Sequence, residues 1–273
     1  MSLMNGSNNK KNQGQVIVVT SGKGGVGKTT TTASLGAALS LRGKRVLVVD
    51  ADIGLRNLDV ILGLENRIVF NLVDVAKNIC KPSQAIIKSK KSPNLFLLPA
   101  SQTDDKDVVT EDEVRYALDQ FRREFHYILV DSPAGIEQGF KNACAGADSA
   151  LIVTTPEIPA IRDADRVIGL LSARSIEAQL IINRIDFNMV ARGDMLSVQD
   201  VQDILGIELI GIIERDEAII VAANCGEPVV YNQKSKAGQS FSRIAARVCG
   251  EQVPFPVGSN SLWGKLTRRL GVA

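Results

Sequence analysis

The sequence has few aromatic side chains and almost no excess of charge. Aromatic residues account for 4% of its 273 residues, and 32 lysines and arginines stand against 30 aspartates and glutamates, a formal net charge of +2. Proteins that coat nucleic acid need a strongly basic surface, and those that hold single strands need aromatic rings on which bases stack. Both absences argue against nucleic acid as a partner.

Clustered cysteines and long apolar runs are also absent from the sequence. The four cysteines lie 64, 81 and 24 residues apart, so none forms the close pair of a metal or redox site. No apolar run approaches the roughly 20 residues that span a bilayer. Residues 1–15 are polar and rich in asparagine, which predicts a flexible leader and not a signal peptide or an anchor. We therefore expect a cytoplasmic chain with reduced thiols.

Short β-branched runs recur along the chain and alternate with helical periods. The runs are continuously apolar, as in strands that are buried on both faces of a parallel sheet. They cover residues 16–20, 45–50, 94–99, 127–131, 150–154, 180–183 and 209–213. This order predicts an α/β fold with a doubly wound, mostly parallel sheet flanked by helices. Ligands of such sheets sit at the carboxyl ends of the strands, where Asp50 and Asp131 end two of the runs.

A change of composition near residue 252 predicts the end of the folded domain. Residues 16–251 carry the alternating pattern, and the Pro-, Gly- and Ser-containing stretch 252–260 is typical of a hinge. Residues 261–273 then have an amphipathic helical pattern, with apolar and basic side chains on separate faces. The apolar side chains are Leu262, Trp263, Leu266 and Leu270, and the basic side chains are Lys265, Arg268 and Arg269. The pattern predicts an interfacial helix that binds anionic lipid, the alternative being a terminal helix docked on its own domain.

A glycine-rich loop follows the first strand run. Residues 22–29 read GKGGVGKT and satisfy the phosphate-binding pattern GxxxxGK[ST] between a strand and a helix. Glycines allow backbone N–H groups to surround phosphate oxygens at the positive end of the helix. Lys28 is expected to neutralise the β- and γ-phosphates, and the Thr29 hydroxyl to bind Mg²⁺. The predicted nucleotide-binding residues here are Gly22, Lys23, Gly24, Gly25, Val26, Gly27, Lys28, Thr29 and Thr30.

With its second lysine, Lys23, the loop resembles the deviant Walker A motif of the MinD/ParA family of P-loop ATPases. Further segments are similar to the septum-positioning branch of that family, more closely than to its DNA-segregating branch. They are residues 50–59 (DADIGLRNLD), 98–102 (LPASQ), 131–137 (DSPAGIE), 162–166 (RDADR) and 192–196 (RGDML). The resemblance runs from about residue 16 to residue 230 and resumes in the last residues.

The resemblance implies a Mg²⁺-dependent ATPase that is activated by dimerisation. In the family the lysine equivalent to Lys23 reaches the phosphates of the other subunit. The catalytic residues that it implies are Lys23, Lys28, Asp52 and Asn57, with Asp52 positioning the attacking water and Asn57 helping it. Thr29 would bind Mg²⁺ directly, and Asp50 and Asp131 would hold it through water.

The segment 183–186 leaves two nucleotides open. The family contacts adenine with an Asn or Thr beside a basic residue, which implies Asn183 and Arg184. Yet NRID is one Lys→Arg change from the guanine-reading NKxD of GTPases, in which the Asp, here Asp186, accepts two N–H bonds from guanine. ATP is favoured because the deviant lysine and the switch motifs belong to ATPases. Glu214, which follows the predicted strand 209–213, departs from the family pattern, because the family usually has a proline after that strand.

The resemblance also implies partners and a location. In the septum-positioning branch, the ATP-bound homodimer binds anionic lipid on the inner face of the cell membrane and recruits the division inhibitor MinC. MinE, or a polar-linker equivalent, regulates its release by hydrolysis. Arg162, Asp163 and Asp165 correspond to the partner-binding surface. A ParA-like ATPase that segregates DNA or cargo is the alternative function.

Overall fold

A computed structural model of the chain describes residues 13–105 and 107–255. The strands within these residues are β1 (Gln15–Thr20), β2 (Val46–Asp50), β3 (Ile87–Lys88), β4 (Leu95–Leu98), β5 (Tyr127–Asp131), β6 (Ser149–Thr154), β7 (Glu177–Ile185) and β8 (Glu208–Glu214). The helices are α1 (Lys28–Leu41), α2 (Leu58–Ile61), α3 (Leu72–Ala76), α4 (Pro82–Ala85), α5 (Glu111–Asp119), α6 (Gln138–Ala143), α7 (Ile158–Ala173), α8 (Phe187–Arg192), α9 (Val198–Leu205), α10 (Ala218–Asn224) and α11 (Lys236–Val248).

The strands form one sheet in the order β3-β4-β2-β5-β1-β6-β7-β8. All neighbours in this sheet are parallel except the pair β3 and β4. The predicted α/β fold with a mostly parallel sheet is therefore confirmed. Sequence reasoning missed β3, because an antiparallel edge strand of two residues has too few side chains to show a period.

Helices cover both faces of the sheet. Successive residues of β1 point to opposite sides, so that Val16 and Val18 belong to one hydrophobic core and Ile17 and Val19 to the other. Helices α1, α2, α10 and α11 supply the second of these cores, and the helices from α3 to α9 supply the first. Covering both faces explains why the strands read as continuous apolar runs.

The register brings the carboxyl ends of the central strands together. Asp50 of β2 lies beside Asp131 of β5, and Val19 of β1 lies beside the same aspartate. Strand β1 is central in the sheet, and the chain leaves it through the glycine-rich loop into α1. The predicted phosphate loop and the two predicted metal-binding carboxylates therefore meet at one edge of the sheet.

The two ends of the described chain differ from the predicted boundaries. Strand β1 begins at Gln15, and residues 252–255, predicted as the start of a hinge, contact the domain through Arg247. The amphipathic segment 261–273 and most of the leader, residues 1–12, lie outside the described residues. None of the helices in residues 13–105 and 107–255 is long and apolar enough to cross a membrane.

Candidate nucleotide site

The glycine-rich loop has the backbone of a phosphate-binding loop. It connects β1 to α1, which begins at Lys28. Gly25 and Gly27 have φ angles of 77° and 99°, a left-handed region that residues with a Cβ seldom adopt. These two glycines turn the chain so that it enters the first turn of α1 with its backbone N–H groups pointing outwards. The loop is thus shaped to surround an anion at a helix N-terminus.

Two close contacts fix the position of the loop. A Cβ added to Gly27 would lie 2.4 Å from the amide Nδ2 of Asn183, and one added to Gly22 would lie 2.2 Å from the carbonyl oxygen of Asp163 in α7. Asn183 Nδ2 also donates a hydrogen bond of 2.7 Å to the carbonyl oxygen of Val26. The loop is therefore held between the end of β7 and the first turns of α7.

Gly27→Ala is expected to destabilise the nucleotide-free protein by about 2 kcal/mol. A left-handed residue with a Cβ costs roughly 1–2 kcal/mol, and the new methyl group would disturb the hydrogen bond from Asn183 to Val26. Gly25→Ala is the matched control, because it has the same left-handed backbone but no atom within 4 Å of the added Cβ. In urea, the free energy of unfolding should be lower for Gly27→Ala than for Gly25→Ala. Equal losses would contradict the close contact.

Lys28 is buried at the start of α1 and points into the site. Its Nζ donates a hydrogen bond of 2.9 Å to Ser21 Oγ, which in turn donates one of 2.7 Å to the Lys23 carbonyl oxygen. Burial lowers the pKa of Lys28, and the charges of Asp131 and Asp52 oppose this effect. A lysine that is disfavoured as a cation by burial binds an incoming phosphate strongly, because the phosphate supplies the missing negative charge.

Lys23, the other lysine of the loop, differs from Lys28 in its exposure. Its side chain is exposed, and so is neighbouring Gly24, whereas Val26 between the two left-handed glycines is buried. The buried lysine, Lys28, therefore faces this chain's own site, whereas Lys23 is exposed to solvent. Ser21, which connects the two lysines through hydrogen bonds, was missed by sequence reasoning because it precedes the motif.

Asp131 is a buried carboxyl group at the end of β5. Its Oδ1 accepts a hydrogen bond of 3.2 Å from Thr32 in α1, and Thr29 is close enough to donate another. Burial, followed by the charge of Asp50, raises the pKa of Asp131 to about 8. Lys28 partly opposes this shift. Positive charge at this point is thus insufficient to balance the two neighbouring carboxylates.

Asp50 anchors the loop that follows β2. Its Oδ1 accepts the backbone N–H of Asp52 at 3.0 Å, and its Oδ2 accepts those of Asn57 and Leu58, both at 3.1 Å. Burial raises the pKa of Asp50 to about 6, although these hydrogen bonds lower it. The Asp50 carboxylate therefore fixes the backbone of both Asp52 and Asn57. Asp52 is half-buried and close enough to Lys28 for its charge to act on that lysine, whereas Asn57 is exposed.

The oxygen donors at this edge suit Mg²⁺. Thr29, Asp50 and Asp131 offer a hydroxyl and two carboxylates, the hard ligands that this ion prefers. In the described part of the chain, no group of three or more His, Cys, Asp or Glu side chains is placed to hold a metal. Mg²⁺ usually binds through one or two carboxylates, with phosphates and water completing its shell. The residues therefore fit an ion that arrives with a nucleotide.

The base-binding end of the site contains an irregular turn of β7. Its register against β8 shifts between Ile182 and Ile185, and Arg184 has a left-handed φ of 58°. Arg184 is exposed at this turn, and its backbone N–H donates a 2.8 Å hydrogen bond to Asn183 Oδ1. Asn183 is thus bonded to the phosphate loop and to its neighbour. A direct contact of Asn183 with adenine stays a prediction.

Asp186 is occupied as the N-cap of α8. Its Oδ1 accepts the backbone N–H groups of Asn188 at 2.9 Å and Met189 at 3.3 Å. Glu214, the departure from the family pattern, forms an ion pair of 2.9 Å with Lys236 at the start of α11. The local capping of α8 accounts for the position of Asp186 without a guanine ligand.

A cavity of about 450 Å³ lies against the phosphate loop and the start of α1, and it has the size of a small-molecule site. Lys23, Asp50, Asp52, Asp131 and Asn183 are not among its lining residues. Among its lining residues, those that the sequence predicted are Gly25, Gly27, Lys28, Thr29, Thr30, Asn57 and Arg184. Those that sequence reasoning missed are Val60 and Ile61 in α2, and Ala223 and Asn224 in α10. Nothing in the sequence marked these residues, because α2 and α10 are short and carry no phosphate-binding pattern.

The predicted partner-binding residues lie on α7, next to the phosphate loop. This helix buries one face against the sheet, whereas Arg162 and Asp165 are exposed and Asp163 is half-buried. The backbone of Asp163 is the part that touches Gly22. The exposed edge of α7 is therefore adjacent to the nucleotide site without forming part of its cavity.

The chain matches a family of nucleotide-binding proteins over most of its length. Residues 17–229 match the CobQ/CobB/MinD/ParA nucleotide binding domain. The chain is similar to a solved structure of the MinC:MinD cell division protein complex from Aquifex aeolicus, with 48% identity and a TM-score of 0.84 over 89% of this chain and 99% of that one. It is also similar to the septum site-determining protein MinD of Pyrococcus horikoshii complexed with Mg-ADP, with 30% identity and a TM-score of 0.79 over 86% and 95%.

Similar proteins outside the solved structures belong to the septum-positioning branch as well. The septum site-determining protein MinD of Synechocystis sp. is 51% identical over 261 residues, which are 94% of this chain and 98% of the relative. That of Escherichia coli is 43% identical over 267 residues, which are 94% and 99%. These matches include the phosphate loop and the carboxylates described above, so the chain belongs to the MinD family of septum site-determining P-loop ATPases.

Proposed function

We propose that the protein is an ATPase that dimerises with ATP, binds the membrane and positions the division septum by recruiting the division inhibitor MinC. Hydrolysis of ATP to ADP and phosphate then releases it. The observation that carries this proposal is the pair of lysines on one loop. Lys28 is buried in the site of its own chain, whereas Lys23 is exposed to solvent, where the phosphates of a second subunit could reach it.

Each residue of the site has a role in this reaction. Lys28 and the loop N–H groups bind the phosphates, and Thr29, with Asp131 and Asp50, holds the Mg²⁺ that neutralises developing charge. Asp52 positions the attacking water, helped by Asn57. Lys23 of the partner subunit adds positive charge at the γ-phosphate, as an arginine finger does. Hydrolysis therefore depends on dimerisation.

ATP is the nucleotide that the site favours. Reading guanine requires a carboxylate whose two oxygens face the base, and Oδ1 of Asp186 instead accepts two backbone N–H groups at the start of α8. Arg184 is exposed on the wall of the cavity and is available to the base. Asn183 contributes by fixing the phosphate loop beside it.

The partner surface is the exposed edge of α7. The MinD of Aquifex aeolicus forms a complex with MinC, and this chain is 48% identical to the chain in that complex. We assign Arg162, Asp163 and Asp165 to the equivalent contact, with MinE or a polar-linker equivalent as the regulator. Binding of MinC and of the regulator would both depend on the bound nucleotide, because α7 touches the phosphate loop at Gly22.

Membrane association is assigned to residues 261–273, on the inner face of the cell membrane. Partial insertion of four apolar side chains contributes a few kcal/mol, since full burial of one is worth ~1.5–3 kcal/mol. Ordering the segment as a helix offsets part of this. One segment therefore binds weakly, and two segments on an ATP-bound dimer gain avidity through effective concentration.

Co-sedimentation with anionic vesicles tests this function. We expect the full chain to bind with ATP and to bind much less with ADP, with GTP or without nucleotide. Truncation after Asn260 should abolish binding, and Lys23→Ala should keep nucleotide binding but lose the response to ATP. Equal binding in every nucleotide state would contradict the switch. Salt-sensitive, ATP-dependent retention on DNA with no vesicle binding would instead favour the ParA-like alternative.

A further inference from the structure

Arg247, in the last turn of α11, holds the end of the described chain against the domain. Its Nε donates a hydrogen bond of 3.0 Å to the carbonyl oxygen of Val253, and its Nη2 donates one of 2.9 Å to that of Pro254. Its Nη1 donates one of 2.9 Å to the carbonyl oxygen of Ile210 in β8. The guanidinium also lies over the Phe255 ring, 3.9 Å from its centroid. One side chain therefore attaches residues 253–255 to the edge of the sheet.

The end of α1 lies close to the chain segment that leads to Phe255. Helices α1 and α11 both follow parallel strands, pack against each other and end at the amino-terminal edge of the sheet. Arg42, just after α1, forms an ion pair with Glu251, just after α11. Leu41, next to Arg42, and Phe255, four residues after Glu251, are 58% and 37% exposed. We call Leu41, Arg42, Arg247 and Phe255 the exit corner, because the chain leaves the domain there.

The proposed membrane-binding segment is connected to the exit corner by a short tether. Between Phe255 and residue 261 the sequence has only residues 256–260, which span at most about 17 Å when fully extended. If residues 261–273 lie in a lipid surface, the exit corner must lie close to the same surface.

The surface next to the exit corner carries positive charge. A groove of about 460 Å³ at the amino-terminal edge of the sheet is lined by Lys44, Arg122, Arg123, one carboxylate, Glu124, and Tyr127, among others. Arg122 is paired with Asp148, so Lys44 and Arg123 are the cations that outnumber Glu124. The Tyr127 hydroxyl donates a hydrogen bond of 3.3 Å to the carbonyl oxygen of Val248, so the groove continues into the end of α11. Exposed leucine and phenylalanine side chains flanked by cations suit a bilayer that contains anionic lipid.

We propose that the exit corner is itself a lipid-contacting surface, in addition to the C-terminal segment. Leu41 and Phe255 contact the acyl boundary, and the surrounding cations contact anionic headgroups. Arg247 is the positioning residue that keeps this surface and the start of the tether together. The inference rests on the proposed membrane association, and it adds a defined orientation of the domain on the bilayer.

The exit corner and the nucleotide site are at opposite ends of α1. This helix has 14 residues from Lys28 to Leu41, and at 1.5 Å per residue it is about 20 Å long. Changes at Leu41 are therefore separate from the phosphate loop. ATP hydrolysis without vesicles should stay unchanged in a Leu41 variant, which separates loss of lipid contact from loss of the nucleotide site.

Leu41→Glu and its matched control, Ile79→Glu, test the inference. Ile79 is 64% exposed, close to the value for Leu41, but it follows α3 on the opposite face of the sheet. With ATP and phosphatidylcholine–phosphatidylglycerol vesicles, Leu41→Glu should weaken binding at least about fivefold, since it removes apolar area and adds repulsion. Ile79→Glu should change it less than about twofold. Emission of Trp263, the only tryptophan, reports insertion of the segment.

Arg247→Gln tests the positioning role, with Arg243→Gln as the control of equal charge on the same helix. Release of residues 252–255 lengthens the tether from five residues to nine, which lowers the effective concentration about two- to threefold. Vesicle binding should fall by this factor, and hydrogen exchange should rise in residues 249–255 only in Arg247→Gln. Equal binding by Leu41→Glu and Ile79→Glu would overturn the inference and leave the proposed function intact. Absence of vesicle binding by the unaltered chain would overturn both.

Discussion

Lys28→Met is expected to lower the rate of ATP hydrolysis about 100- to 1000-fold, the usual loss when one donor aimed at developing charge is removed. Lys28 is 7% exposed, and its Nζ is held 2.9 Å from Ser21 Oγ at the mouth of the phosphate loop. A methionine has nearly the same length and no charge. It would therefore fill the same space and leave the β- and γ-phosphates without their nearest cation.

The matched control for this substitution is Lys44→Met. Lys44 lies at the amino-terminal edge of the sheet, away from the nucleotide site, and its replacement also removes one positive charge. Phosphate release should be measured with saturating ATP and Mg²⁺, together with urea unfolding to verify that both variants fold. Hydrolysis by Lys28→Met within tenfold of the unaltered protein would contradict the role of Lys28.

Asp131→Asn is expected to abolish hydrolysis while stabilising the nucleotide-free protein at pH 8. The pKa of Asp131 is raised by burial and by Asp50 to about 8, above its ordinary value of 3.8. The folded state then binds the proton more tightly than the unfolded state. This contribution to stability is complete below about pH 4 and is lost as the pH rises through 8. Asparagine is neutral throughout, so its contribution does not decline.

The pH dependence of unfolding distinguishes this effect from a general change. In urea at pH 5 and pH 8, without nucleotide, the free energy of unfolding should decline more steeply for the unaltered protein than for Asp131→Asn. Between the two pH values, the free energy of unfolding should decline by at least about 1 kcal/mol more in the unaltered protein, because a tenfold change in proton affinity is worth about 1.4 kcal/mol. Asp203→Asn, an exposed carboxylate of α9, is the control and should leave the slope unchanged. Parallel slopes for all three proteins would refute the prediction.

Much of the fold could be predicted because its signals are local. A strand buried on both faces must be apolar throughout, so seven of the eight strands appear as runs in the sequence. The short edge strand β3 carries no such signal. The glycine-rich loop was also recognisable, because left-handed backbone at Gly25 and Gly27 excludes most other residues.

Other parts of the site could not be predicted because they depend on which segments meet. Asn183 is 156 residues from Gly27 in sequence, and only the placement of β7 beside β6, which in turn lies beside β1, brings its amide to the phosphate loop. The same holds for Ala223 and Asn224, which α10 brings to the cavity. The attachment of residues 253–255 depends on Arg247, whose sequence neighbourhood is that of an ordinary helix end.

The sequence by itself determined the phosphate loop, the strands other than β3 and the family, because each requires particular residue types at fixed short spacing. Tertiary structure decided what each polar group is paired with. It assigned the Asp50 carboxylate to the backbone of its own loop, Asp186 to the cap of α8 and Arg247 to the C-terminal end of the domain. The physical reason is that charge and hydrogen bonds act over a few ångströms in space, and sequence specifies such distances only between near neighbours.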